Sequence, residues 1–251
     1  MRWIFLIVLI AVVGCAPVPD MRWQQVPSEE ALLARLYENA GRYRSLDAAA
    51  GVSLTTKGKY YPSQQFLLLE RPNRLRADIL TGFGQLILQM ASDGRDMAVF
   101  LNNTVPGRYY YGSASSENII RFVRIPLKPN DLLALLLYDP PLMAYQSTDI
   151  SLVDGRLKLV LSGNTDHQDL YFNEQLILVE SDYYVQGKQV LRVIYDKFSD
   201  QDNFPRKVKI EVPDEETRVT LKYSELKLNT PIEATQFKLE QPKNSVAELL
   251  P

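Results

Sequence analysis

From residue 46 onward, apolar and charged positions alternate with a period of two, the mark of strands buried on one face and wet on the other. Leu75, Ala77 and Ile79 alternate with Arg74, Arg76 and Asp78. Val208, Ile210 and Val212 alternate with Lys207, Lys209 and Glu211, and Val219, Leu221 and Tyr223 with Arg218, Thr220 and Lys222. Turn-forming residues at 72–73, 82, 93–94, 154–155, 173–174, 186–187 and 214–215 punctuate the runs, as in an antiparallel meander. The pattern predicts about ten or eleven strands. A mainly β chain with a few helices follows, its sheet curved deeply into a barrel or an unclosed half-barrel.

Two regions depart from this period. Ser28-Glu29-Glu30 reads as a helix start, a hydroxyl cap followed by acids near the positive end of the helix dipole. The helix is expected to run to about Arg44, with Leu32, Leu33, Leu36, Tyr37, Ala40 and Tyr43 on one face. Between 115 and 139 the pattern turns helical again, first over 117–123 and then over 130–138, where leucine falls on almost every side. A helix that is apolar all round must be sunk in a core or lie against something equally apolar. Two readings stand for it: a short core helix that plugs the open sheet, or a lid over a ligand cavity. Nine residues are too few to cross a bilayer.

The first fifteen residues carry an arginine, an apolar run from Trp3 to Val13, and then Gly14-Cys15. This is the layout of a secretory signal, and Val12-Val13-Gly14-Cys15 resembles a bacterial lipobox. Cleavage after Gly14 would leave Cys15, the one cysteine of the chain, as a lipidated N-terminus. A signal cut elsewhere, or an uncleaved anchor, is the alternative. Several acyl chains on one residue hold a protein stably on a membrane where a single chain is marginal. Among bacterial lipoproteins an aspartate after the cysteine tends to mean inner-membrane retention. Ala16 stands there, which implies the outer membrane. Residues 16–27 are proline-rich and aperiodic, and read as a flexible tether that reaches up to about 40 Å. The organisation expected is therefore a signal over 1–14, a lipidated cysteine and tether over 15–27, and one domain over 28–251.

Composition narrows the chemistry. The chain is 46% hydrophobic and 23% charged with a formal charge of −2, ordinary for a globular fold, and its basic residues are scattered. Nucleic acid is not an expected partner. With the cysteine acylated, neither a disulfide nor a thiolate metal site is available. The one histidine, His167 in Thr165-Asp166-His167-Gln168-Asp169, has neither metal-site nor nucleophile spacing around it and reads as an exposed turn residue. Asp200, Asp202 and Asn203 lack the glycine and distal glutamate of a calcium loop and read as a polar hairpin. No glycine-rich phosphate loop occurs. Tyr109-Tyr110-Tyr111 could stack on a sugar or a headgroup, but reads better as strand, two rings on one face and one on the other. Neither an enzyme site, a metal nor a cofactor is expected.

With its lipobox, N-terminal helix, meander and mid-chain helical interruption, the chain resembles the LolA/LolB-like superfamily of periplasmic lipoprotein carriers and outer-membrane lipoprotein receptors, closer to the receptor type. The most specific stretch is the hairpin over 75–90, Leu-Arg-Ala-Asp-Ile-Leu-Thr-Gly-Phe-Gly-Gln-Leu-Ile-Leu-Gln-Met. A second is Phe204-Pro-Arg-Lys-Val-Lys-Ile210, followed by 219–229. The resemblance implies a curved, unclosed sheet covered by helices, with an apolar cavity for acyl chains between them. It places Phe83, between Gly82 and Gly84, where the receptor carries a protruding leucine, and so implies a membrane-insertion tip. The receptor's preceding proline is Gly82 here. The residues expected to line the cavity are Leu32, Leu36, Leu86, Leu88, Met90, Leu132, Leu135, Leu136, Val219, Leu221 and Tyr223.

The function expected is that of an outer-membrane lipoprotein on the periplasmic face that binds acyl chains of lipoproteins or lipids and assists their transfer or insertion. A periplasmic carrier protein is an expected partner. The alternative is an envelope assembly or secretion accessory that keeps the fold as a packed interaction domain. A hydrolase would need an acid or base pair that the sequence does not offer.

Overall fold

The computed structural model describes residues 26–123, 125 and 127–251; the signal, the lipobox with Cys15 and all but the last two tether residues lie outside them. Helix α1 (Glu29–Asn39) is capped by Ser28, whose hydroxyl accepts from the Ala31 amide at 3.3 Å. It stops five residues earlier than the sequence pattern suggests. Gly41 takes a left-handed φ of +69°, which turns the chain, and the Arg44 backbone is already held by the sheet, its N–H on Asn229 Oδ1 at 2.7 Å and its C=O on the Arg71 amide. Tyr43 still reaches the core, from the loop, edge-on to Phe204 at 4.9 Å. Tyr37 is exposed.

The rest is one antiparallel meander interrupted once. Strands β1 (Ser45–Thr56), β2 (Lys59–Glu70), β3 (Arg74–Leu80), β4 (Leu86–Ser92), β5 (Asp96–Leu101) and β6 (Gly107–Ser113) follow each other. Helices α2 (Ser116–Val123) and α3 (Pro129–Leu136) then cross to β7 (Ser147–Val153), β8 (Arg156–Ser162), β9 (His167–Phe172), β10 (Leu178–Val185), β11 (Lys188–Phe198), β12 (Pro205–Val212) and β13 (Thr217–Leu228). A last strand, β14 (Ser245–Leu249), pairs parallel with β6. The strands make a single 14-stranded sheet in the order β14-β6-β5-β4-β3-β2-β1-β13-β12-β11-β10-β9-β8-β7, not closed into a barrel. The count exceeds the ten or eleven expected because short strands such as β9 and β14 carry too few alternations to register. Every expected turn falls between strands.

Pairing of β1 with β13 joins an N-terminal half (β1–β6) to a C-terminal half (β7–β13). In the C-terminal half, Leu157, Leu159, Leu161, Leu170, Phe172, Val193 and Tyr195 pack inward and are fully buried. Its outer face holds an ionic network. Glu180 takes Arg156 at 2.7 Å and Arg192 Nε at 2.9 Å, and Asp169 takes Lys158 at 3.1 Å. Asp182, opposite Asp169 across the strand pair, has Arg192 at 3.4 Å. One oxygen of each aspartate is buried without a hydrogen bond. Burial pushes the Asp182 carboxyl up to about 7 despite Arg192.

The outer face of the N-terminal half is covered by the chain's own tail. After β13, Phe237 is buried beneath the Arg74 guanidinium, and Leu239 packs with Ala98, Phe100 and Tyr109. Tyr109 and Tyr111 stack on that face at 6.1 Å while Tyr110 points into the core beside Phe122, the two-and-one split expected of a strand.

Candidate functional site

The N-terminal half of the sheet is less tightly filled than the C-terminal half. Its inner wall comes from alternate residues: Val52 and Leu54 of β1, Leu67 of β2, Leu75, Ala77 and Ile79 of β3, Leu88 and Met90 of β4, and Val219 and Leu221 of β13. The roof is the end of α2 (Phe122, Val123), Ile125, and Leu132 and Leu136 of α3. Between wall and roof lies an apolar cleft of about 140 Å³. Leu54, Leu75, Ala77, Ile79, Ile125 and Leu132 are only half-buried, so the cleft is open to solvent. Gln65 and Arg76 are its polar lining residues; Gln65 donates to Ser63 at 3.2 Å and Arg76 pairs with Asp78 at 3.2 Å.

A volume of 140 Å³ holds about one benzene-sized molecule and falls below the roughly 300 Å³ at which ligand pockets begin. Roof movement would enlarge it, and the roof is held unevenly. At the C-terminal end of α3, Tyr195 donates to the Leu135 carbonyl at 3.2 Å, Tyr223 to the Leu136 carbonyl at 3.4 Å and Asn39 to the Tyr138 carbonyl at 3.1 Å. Tyr138 itself is wedged among Tyr195, Phe198 and Phe204 and donates to the Leu178 carbonyl at 2.8 Å. Burial holds the phenols of Tyr138, Tyr195 and Tyr223 well above the usual tyrosine range, so they remain hydrogen-bond donors. The N-terminal end has no side-chain cap at Lys128. The helix is therefore held by side-chain hydrogen bonds at its C-terminal end, where Leu136 also roofs the cleft, while residues 128–131 lie beside Asn73, Gly94 and Ile119.

Six of the residues expected in a cavity come together here: Leu88, Met90, Leu132, Leu136, Val219 and Leu221. Leu32, Leu135 and Tyr223 are placed elsewhere, in the solid core beneath α3. Leu36 lies on the far side of α1, at a polar cleft. Leu86 faces outward, with Ala98, Phe100 and Tyr109. A register shift pairs Leu80 with Leu86 but Ile79 with Leu88, and this bulge turns Leu86 to the outer face. Sequence reasoning missed the β1–β3 wall. A usable signal was there: Ala77 among larger residues on the inner face of β3 leaves room that leucine would fill.

A larger cleft of about 650 Å³ lies at the opposite end, between α1 and the turns at 173–177 and 199–203. Arg35, Glu38, Arg42 and Asp200 line it together with Phe172, Ile177 and Phe198, a mixed surface with more charge than the cleft under α3. His167 heads β9 and stacks flat on Tyr184 at 4.3 Å. Asp202 caps its hairpin, accepting from the Phe204 amide at 3.0 Å and Arg206 at 2.7 Å. Among the described residues no group of three or more His, Cys, Asp or Glu side chains could hold a metal.

Phe83 stands at the tip of the β3–β4 hairpin and is 97% exposed. Thr81 Oγ1 accepts from the amides of Phe83 and Gln85, and Gly84 closes the turn at φ +79°, a conformation that a side chain would strain. The ring is held out in water by a built turn.

No family model matches the chain, and no curated protein matches it in sequence. Solved structures do match. A DUF1329 family protein from Desulfovibrio piger superimposes with a TM-score of 0.53 at 15% identity, over 83% of this chain and 95% of that one. A LolA superfamily protein from Nitrosomonas europaea does so with 0.52 at 12% identity, over 85% and 99%. A domain from Vibrio parahaemolyticus named for outer membrane lipoprotein sorting does so with 0.52 at 12%, over 82% and 94%. At these identities the likeness is one of fold, and the chain has the LolA/LolB-like fold.

Proposed function

We propose that this protein is an outer-membrane lipoprotein facing the periplasm, held by lipid on Cys15, that takes acyl chains of lipoproteins or other lipids into the cleft under α3 and assists their passage into the membrane. The observation that carries this reading is the apolar cleft between the inner wall of β1–β4 and β13 and the roof made by α2 and α3. An incoming chain would displace the roof and take the place of Leu132 against the wall. About eight buried methylenes contribute on the order of 6 kcal/mol, more than the roughly 2 kcal/mol held by one leucine side chain. The populations of closed and open roof shift with that difference in contact. Phe83 then serves as the tip that enters the bilayer, and hand-over is driven by apolar contact without a catalytic residue.

Uptake of a fluorescent fatty acid by the purified protein tests the cleft; no uptake and no co-purified lipid would remove it. Phe83→Glu is expected to abolish transfer of a lipoprotein to vesicles and leave uptake unchanged. Transfer at the original rate would show the tip assignment to be wrong. The small resting volume of the cleft favours a second reading, a packed interaction domain in an envelope assembly, which predicts no uptake and a protein partner instead.

A further inference from the structure

The β1–β2, β3–β4 and β5–β6 hairpins all turn at one end of the sheet, as the antiparallel register requires. Each presents an apolar or aromatic group to water. At the first, residues 57–62 are exposed throughout, reading Lys-Gly-Lys-Tyr-Tyr-Pro, with Tyr60 at 65%. Phe83 is at the second, and Val105, fully exposed in Asn-Asn-Thr-Val-Pro, at the third. Adjacent strands lie about 4.8 Å apart, so the three tips form a row about 20 Å long. None carries an acid. The C-terminal half turns at the same end with Asp214, Glu215 and Glu216 before β13, which the pairing of Thr56 with Thr217 places beside β1.

Two further features point the same way. The cleft runs the length of the strands and reaches this end, where Leu54 lies two residues from the end of β1 and Ile79 four from Phe83. The described chain also begins here: Glu29, at the start of α1, bonds Thr148, one residue into β7 and level with the β8–β9 turn. A lipid expected on Cys15 would therefore tether the domain from the end that bears the tips.

We propose that the three hairpins together form a docking rim for an anionic lipid bilayer, with Tyr60–Tyr61, Phe83 and Val105 entering the interface and Lys57 and Lys59 on its headgroups. The acidic turn before β13 stays out of the anionic surface, so the domain sits tilted on its N-terminal half. One end of the cleft is thereby set against the membrane. The inference rests on the lipid-handling reading for its purpose, though not for its geometry.

The test uses the full chain on vesicles of phosphatidylethanolamine and phosphatidylglycerol in a three-to-one ratio, with p-benzoylphenylalanine placed at position 61, 83, 105 or 215. Lipid adducts after irradiation are expected at 61, 83 and 105, and about tenfold fewer at 215. Vesicles without phosphatidylglycerol, or Lys57→Glu with Lys59→Glu, should lower the yield at 61 about threefold or more. Adducts confined to 83 would overturn the rim, as would equal yields at 215 or indifference to lipid charge. Fatty-acid uptake in solution is read separately: its loss with the adducts intact would remove the cleft reading and leave the docking rim.

Discussion

The two halves of the sheet solve the same problem differently. In the C-terminal half, leucines and aromatics from β8 to β12 pack beneath the C-terminal end of α3, and an ionic network is stretched over the outer face. In the N-terminal half the inner wall is equally apolar but meets the roof incompletely, and the chain's own tail covers the outer face instead. One half behaves as scaffold. The other keeps apolar surface partly unsatisfied, which costs stability and leaves a place for a ligand to supply the missing contacts. Both halves meet on the same segment, since Leu135 and Tyr138 are buried in the core of the first and Leu132 and Leu136 roof the cleft of the second.

The contrast can be broken most sharply by truncation. Leu159→Ala, in the filled half, should cost about 3–4 kcal/mol, whereas Leu54→Ala at the cleft should cost about 1 kcal/mol, both read by denaturant unfolding. Equal losses would mean that the cleft is as well packed as the core. Next in size is the ionic network. Asp182 is neutral in the folded protein below about 7, well above its ordinary value. The unfolded chain therefore loses its proton first, and the stability linked to this group falls as pH rises from about 4 to 7 and levels off beyond. Asp182→Asn, which mimics the neutral form, should gain on the wild type by on the order of 2 kcal/mol across that window. A constant difference between pH 5 and 8 would refute the assignment.

Filling tests the cleft directly. Ala77→Phe on its wall should change stability by less than about 1 kcal/mol and cut fatty-acid uptake about tenfold, while Ala50→Phe, fully buried under α3, should cost about 2–3 kcal/mol. Unchanged uptake in Ala77→Phe would move the ligand elsewhere. The smallest effect on stability is expected at the tip, where Phe83→Glu should stay within about 0.5 kcal/mol. A larger loss would mean that the ring packs on the body of the protein.

The sheet was legible because period-two alternation and turn residues are local signals, strongest in β3, β12 and β13, where apolar and charged residues strictly alternate. The length of α1 was not, since Gly41 and the pull of β1 into register decide it, and only the second involves distant chain. Within the site, Leu88, Met90, Leu132, Leu136, Val219 and Leu221 could be reached from their positions on inward faces. Leu86 could not, because a single bulge inverts its face. Leu32, Leu135 and Tyr223 are just as apolar and just as inward; whether an inward residue borders a void or a neighbour depends on how two halves of a sheet fit one helix, which no stretch of sequence encodes by itself. Of the three hairpin tips only the one at Phe83 is among the expected turns, and their common end emerges only when the strands are laid in order.

The seam between β1 and β13 carries a last consequence. Thr56 and Thr217, which share a hydrogen bond at 2.9 Å, are 161 residues apart in the chain, and Val219 and Leu221 on the far side of that seam supply one wall of the cleft. Such remote pairing is slow to form. A chain emerging from the ribosome therefore has no finished cleft until almost its whole length is available. The topology that makes the cleft also delays it until the two halves of the sheet have been joined.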